Sequence, residues 1–245
     1  MQSEHLKLLA DANLFKLSGN PYPGRGIVVG LDETGEYLVQ VYWIMGRSPN
    51  SQNRVFGREG DRLFTEAADP REVKDPSLII YNAMREYRDS MGLSLAIVSN
   101  GHQTDAVAKE GMIALHKYVY EPDAPNFTPR ITGCSFWRRS GGISGAELSV
   151  LRKSPWDDYC DRCSYEYDEL HLGYGYCITT YSGDGNPLPS FQGEPYLLPL
   201  VGGCNFIRET FWTTLNAQNR VAVAVKFIPK HGISQTFVIN KYTKV

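Results

Sequence analysis

The chain opens with "MQSEHLKLLADANLFKLSG", where acidic residues interrupt an apolar pattern. That spacing predicts an amphipathic helix rather than a leader peptide. Next, Ile27 to Val29 is apolar, Glu33-Thr34-Gly35 reads as a turn, and Tyr37 to Met45 is rich in β-branched and aromatic residues, so strand, turn and strand are expected. "RSPNSQNRVFGREGDR" is polar throughout and reads as loop. "DPSLIIYNAMREYRDSMG" predicts a helix, with Asp75 as N-cap, Pro76 at the first helical position, and Gly92 as the stop. Ile80, Met84, Tyr87 and Met91 would form its apolar face. "LSLAIVS" is nearly continuous in apolar residues, as expected of a strand covered on both faces. A helix is expected from about Thr104 to Tyr118, with Ala108, Met112 and Leu115 facing the core.

The second half reads mostly as strands: Ile131 to Trp137, Glu147 to Arg152, Tyr174 to Tyr181, Val221 to Ile228, and "QTFVINKY". One helix is expected between Asn205 and Asn219, with Phe206, Thr210, Thr213 and Ala217 on one side. Ser154 to Gly203 is rich in Gly, Pro, Tyr and Asp and reads as long loops with strand pieces. Strands do not alternate regularly with helices, so the expected class is α+β with packed sheets, not a doubly wound parallel sheet. A single domain over residues 1–245 is expected, without internal repeats. No dinucleotide-binding or phosphate-binding glycine loop follows a strand.

Composition narrows the classes further. The chain has 245 residues, 42% of them hydrophobic, enough for a full core. A net charge of −2 argues against a general nucleic-acid or membrane-surface binder. No apolar run approaches the roughly 20 residues of a membrane helix. Five cysteines, an odd count, do not suggest a disulfide framework. The close pair Cys160 and Cys163 has no second pair with which to complete a zinc ribbon, so no metal site is expected. A cytoplasmic protein fits these features.

Four polar clusters could carry chemistry. In "NPYPGRG", Asn20 to Gly26, two prolines and two glycines preset a tight turn around Arg25, either to hold an anion or as a surface turn. "GRSPNSQNR" places Arg47, Ser48, Asn50, Asn53 and Arg54 after a strand, a donor set suited to phosphate and equally to a polar loop. Tyr81 and Asn82, with Arg85 a turn later, lie at the edge of the predicted apolar face. Finally, Asn100-Gly101 brings backbone N–H groups to a helix start, where Thr104 or Asp105 can cap. "YEPDAPNFTPRI" then adds Glu121, Thr128 and a proline-fixed Arg130. Glu121 near so many arginines is either a structural ion pair or an acid/base.

Together these stretches resemble the archaeal-type, PurO-like IMP cyclohydrolase family. The matching pieces are Gly24-Arg25, "RS…NR" from Arg47 to Arg54, "YNAMR" from Tyr81, "VSNG…TD" from Val98 to Asp105, and "YE…NFTPRI" from Tyr120. They fall in the family's order and span about residues 20–131. The β-rich remainder, about 132–245, is longer than in short archaeal members and carries no family motif. The resemblance implies a four-layer αββα sandwich like that of N-terminal-nucleophile hydrolases, without their nucleophile, since the sequence starts Met1-Gln2-Ser3.

The implied reaction closes 5-formamidoimidazole-4-carboxamide ribonucleotide to inosine monophosphate with loss of water. It moves no electrons, so no cofactor is implied. The implied proton-handling pair is Tyr81 and Glu121, with Arg47 as oxyanion or positioning donor. Arg25, Arg54 and Arg130 are phosphate candidates. Ser48, Asn53, Asn82, Asn100, Gly101, Thr104, Asp105 and Thr128 are expected around the nucleotide. The expected partners are a purine ribonucleotide substrate and product, with a homo-oligomer left open. Two alternatives stand beside this reading: a non-catalytic purine-nucleotide-binding regulator, and an amidohydrolase on the same fold.

Overall fold

The computed structural model describes residues 2–73, 76, 79–89, 92–137 and 144–244. The chain begins with α1 (Gln2–Gly19), β1 (Gly26–Leu31), β2 (Tyr37–Met45), α2 (Pro49–Gln52), β3 (Val55–Glu59), β4 (Arg62–Glu66), β5 (Asn82–Asp89), β6 (Gly92–Ser99) and α3 (Gln103–Glu110). It continues with β7 (Arg130–Trp137), β8 (Ser144–Lys153), β9 (Cys160–Tyr167), β10 (Tyr174–Thr179), β11 (Tyr196–Pro199), α4 (Cys204–Thr214), β12 (Arg220–Pro229) and β13 (Gln235–Asn240). The strands form a six-stranded sheet, β11-β10-β1-β2-β12-β13, and a seven-stranded sheet, β3-β4-β5-β6-β7-β8-β9. Neighbouring strands are antiparallel throughout. The class is α+β, as the order of elements along the sequence implied.

Side chains alternate along a strand, and here both alternations are buried. Ile27, Val29, Leu38, Tyr42 and Ile44 meet Ala96, Val98, Ile131 and Leu148 of the other sheet. Val28, Val39, Val41 and Trp43 point the opposite way, onto Leu17 of α1 and Ile207 and Phe211 of α4. This is why β1 and β2 read as nearly continuous apolar runs, with the buried Gln40 the one polar side chain in them. Outside the seven-stranded sheet, Val107 of α3 and Ala114 and Leu115 beyond it cover Ile97, Cys134 and Leu151. No helix among the described residues is long and apolar enough to cross a membrane.

Several local expectations are corrected. "NAMREYRD" is strand β5, not helix. Its pairing with β4 slips between Leu63↔Met84 and Phe64↔Asn82, so buried Tyr81, Ala83 and Met84 break the period of two. That break imitates helical spacing, yet Ile80 and Tyr87 of the supposed apolar face are exposed. The Asp75 cap and Met91 lie outside the described residues. The helix expected from Thr104 to Tyr118 stops at Gly111, whose φ of 77° is left-handed, and a 3-10 turn follows over Met112–Lys117. The polar stretch after Arg47 holds α2 and the hairpin β3–β4, whose charged residues suit a sheet edge. Cys160 and Cys163 lie on strand β9 rather than in a loop. In α4 the buried residues are Ile207 and Phe211, while Phe206 is exposed.

Candidate functional site

Four strand ends converge on one rim. β1 starts just after Arg25, β2 ends just before the Gly46–Arg54 segment, β7 starts after the Glu121–Pro129 loop, and β10 ends just before Tyr181. Arg25 is clamped by its backbone: its N–H donates to Thr180 Oγ1 at 3.1 Å, and its carbonyl accepts from Thr180 N at 2.8 Å. The flanking glycines make this possible. Gly24 has φ of 73°, and a Cβ there would lie 2.2 Å from Thr180 Oγ1. A Cβ at Gly26 would lie 1.9 Å from the Trp43 ring.

The segments enclose a cavity of about 310 Å³, lined by Tyr22, Gly24, Arg25, Met45, Arg47, Ser48, Asn50, Ser51, Arg54, Glu121, Asp123, Asn126, Thr128, Tyr181 and Leu188. At its wall Arg25 Nη2 donates to Glu121 Oε2 at 3.0 Å. The two side chains are only 8% and 6% exposed. Burial disfavours the guanidinium charge, but Glu121, with Tyr81, Tyr42 and Tyr181, outweighs it, and Arg25 holds its proton more firmly than an ordinary arginine. Arg25 Nη1 and Arg54 Nε are buried without a hydrogen-bond partner among the described residues. Arg54 itself is buried. Arg25, Arg54 and Glu121 all line the cavity, so its wall carries two cations beside a carboxylate, a set that can bind an anion or a polarised oxygen and move a proton next to it.

Tyr81 stands behind this wall. Its hydroxyl shares a 2.7 Å hydrogen bond with that of Tyr42. Burial pushes the Tyr42 phenol well above its ordinary range, the neighbouring Tyr81 oxygen adds to this, and Arg25 opposes it. Arg47 lies at the rim: it pairs with Asp184, donates to Gly185 O at 3.1 Å, and lies over the Tyr22 ring at 4.9 Å. Ser48 caps α2 and accepts from Ser51 N. Asn53 is bonded to the Asp69 backbone through both of its amide atoms and lines a neighbouring cleft of about 950 Å³, which shares Arg47, Ser48 and Asn50 with the cavity.

The remaining candidates lie outside the cavity lining. Asn100 is fully buried; it donates to Pro129 O and accepts from Ile131 N and Gln103 Nε2. It braces the loop that carries Glu121 and Thr128 against the end of β6. Thr104 donates to Gly101 O at 2.8 Å. Gly101 leaves room for Arg130, whose Nη1 would lie 2.3 Å from a Cβ there. Arg130 donates to Val119 O and Gln103 Oε1; burial lowers its proton affinity, and Glu121 opposes that. Asn82 and Arg85 both donate to Asp105, forming a cluster between β5 and α3.

Over residues 22–232 the sequence matches a family model described as IMP cyclohydrolase-like protein. The chain belongs to this family. No curated protein matches it. The IMP cyclohydrolase-like match contains every cavity-lining residue and runs far beyond residue 131, where the recognisable motifs stop. It thus includes Tyr181, which sequence reasoning did not select. Tyr42 and Tyr22 were also passed over, Tyr42 because it lies in an apolar strand run that reads as core. Asp123 had one local signal, an acidic residue in a proline-rich loop five positions before Thr128.

Proposed function

We propose that the protein closes 5-formamidoimidazole-4-carboxamide ribonucleotide to inosine monophosphate. The observation that carries the reading is the buried Arg25–Glu121 pair in the wall of a cavity of about 310 Å³ that Arg54 also lines. That volume falls within the range of small-ligand sites, and family membership supports the same chemistry. In this reading the nucleotide's phosphate takes Arg54, with Arg47 and Ser48 at the rim positioning it. The carboxamide nitrogen attacks the formyl carbon, forming the new C–N bond, while the formyl oxygen gathers negative charge. Arg25 is the donor for that oxygen. Glu121 takes the proton leaving the carboxamide nitrogen and returns it to the formyl oxygen; a second proton, balanced by the one the formamido nitrogen loses as the ring C=N bond forms, lets the hydroxyl depart as water, with Tyr81 behind the wall as the second proton-handling group. Holding both groups aligned supplies much of the rate, since positioned intramolecular reactions gain up to about 7–11 kcal/mol. The helices outside both sheets support the four-layer arrangement expected of this family.

The test is conversion of the formylated ribonucleotide by purified protein in the presence of chelator, followed by absorbance. Conversion without added cofactor is expected. Inosine monophosphate binding without turnover would favour a nucleotide-binding regulator, and failure of both would overturn the reading.

A further inference from the structure

Three cavity-lining residues outside the proposed reaction form a hydrogen-bond chain whose direction is fixed. Asp123 accepts from Thr128 twice: from the backbone N–H at 2.6 Å, and from the hydroxyl. A carboxylate only accepts, so the single hydroxyl hydrogen of Thr128 is taken up by Asp123. Thr128 Oγ1 and Tyr181 Oη lie 2.5 Å apart. With the Thr128 hydrogen already engaged, the Tyr181 hydroxyl is the donor in that contact. Its own hydrogen therefore points at Thr128, and what remains on its oxygen is acceptor capacity. Tyr181 and Thr128 are 5% and 2% exposed, so water does not scramble the chain. The Tyr181 ring stacks on Tyr22, also at the cavity wall, with centroids 6.0 Å apart and planes 22° apart, which holds the hydroxyl in place.

Around Tyr181 the cavity wall holds the cations Arg25 and Arg54 and the carboxylates Glu121 and Asp123, and Tyr181 adds a neutral acceptor of fixed orientation. We infer that Tyr181 is a specificity-determining residue that accepts a hydrogen bond from an N–H of the bound nucleobase, and that Asp123, acting through Thr128, fixes this polarity. Building on the reaction proposed above, the N–H is the carboxamide's in the substrate and N1–H in the product. A ring nitrogen bearing a lone pair at that place meets the lone pair of Tyr181 and is rejected.

Reversing the chain tests this. Asp123→Asn keeps the carbonyl oxygen for the Thr128 N–H and puts an amide N–H where the second carboxylate oxygen stood. Thr128 then turns its hydrogen to Tyr181, and Tyr181 turns its own into the cavity. Calorimetry would compare inosine 5′-monophosphate, which has N1–H, with purine ribonucleoside 5′-monophosphate, whose N1 is an acceptor. Wild type should favour the inosine nucleotide. In Asp123→Asn the ratio of the two affinities should fall at least ~10-fold, because a mismatched buried polar group loses about that factor. Tyr181→Phe should also reduce the ratio, and it decides the case if thermal unfolding shows Asp123→Asn to be misfolded. An unchanged ratio in a folded variant would overturn the polarity chain and leave the reaction intact. A wild type that binds neither nucleotide would overturn both.

Discussion

Replacing one member of the Arg25–Glu121 pair should be more harmful than replacing both. The contact is 3.0 Å, and neither side chain is more than 8% exposed, so water screens it little. Removing one charge of such a pair costs about 3–5 kcal/mol, because the survivor stays buried and uncompensated. Glu121→Gln keeps an acceptor for Arg25 and should fall at the lower end; Arg25→Met leaves a bare carboxylate and should fall at the upper end. The double variant has neither charge. Its stability should be higher than that of the worse single, a coupling of at least about 3 kcal/mol. The backbone clamp between Arg25 and Thr180 does not involve either side-chain charge, so the loop is held in all three variants. Urea unfolding reads the cycle, and each kcal/mol should move the melting temperature by about 2–4 °C in a chain of this size. Additive losses would refute mutual compensation. In the same set, Glu121→Gln should lose about 10²-fold or more in kcat with product affinity changed only a few-fold. Near-wild-type turnover would remove Glu121 from proton transfer.

Three further outcomes are expected. Tyr81→Phe should lower kcat by about 10²-fold and stability by about 1–3 kcal/mol, because the buried Tyr42 hydroxyl loses its 2.7 Å partner; stopped turnover with unchanged stability would contradict the hydrogen-bonded pair. Arg54→Met should weaken nucleotide binding at least ~10-fold and leave nucleoside binding unchanged, since charge-assisted contacts are worth about that factor; equal losses for both ligands in calorimetry would take the phosphate from Arg54. Between the sheets, burial works against the Glu86 charge, but Lys226 Nζ at 2.6 Å and Arg88 hold its pKa below the ordinary 4.5. A depressed carboxylate stabilises the fold above its unfolded pKa, and that contribution is lost as pH falls through the folded value. Glu86→Gln should thus be clearly less stable than wild type near pH 7, with the gap closing below about pH 4.5; a gap that widens in acid would contradict the pairing.

The sequence by itself determined the features governed by nearest neighbours. Pro and Gly around Arg25 specified a rigid turn, and the structure explains why: Gly24 needs a left-handed backbone, and Gly26 lies against Trp43. The long apolar runs of β1, β2 and β6, the strands β7, β8, β10 and β12, and the α+β class were legible because a run buried on both faces reads the same in sequence and in space. β5 was not legible. The slip in its pairing with β4 gave its buried residues a helix-like spacing, and the strand exists because β4 and β6 complete its ladder on both sides. The cavity was legible only in pieces. Arg25 and Glu121 could be singled out by residue type, but their pairing across 96 positions depends on where β1 and the loop before β7 end. Tyr42 with Tyr81, and Thr128 with Tyr181, are 39 and 53 positions apart and lie on different elements. No local pattern encodes such contacts. They follow from stacking two sheets, which fixes which side chains share a buried space and therefore which polar atoms must satisfy one another there.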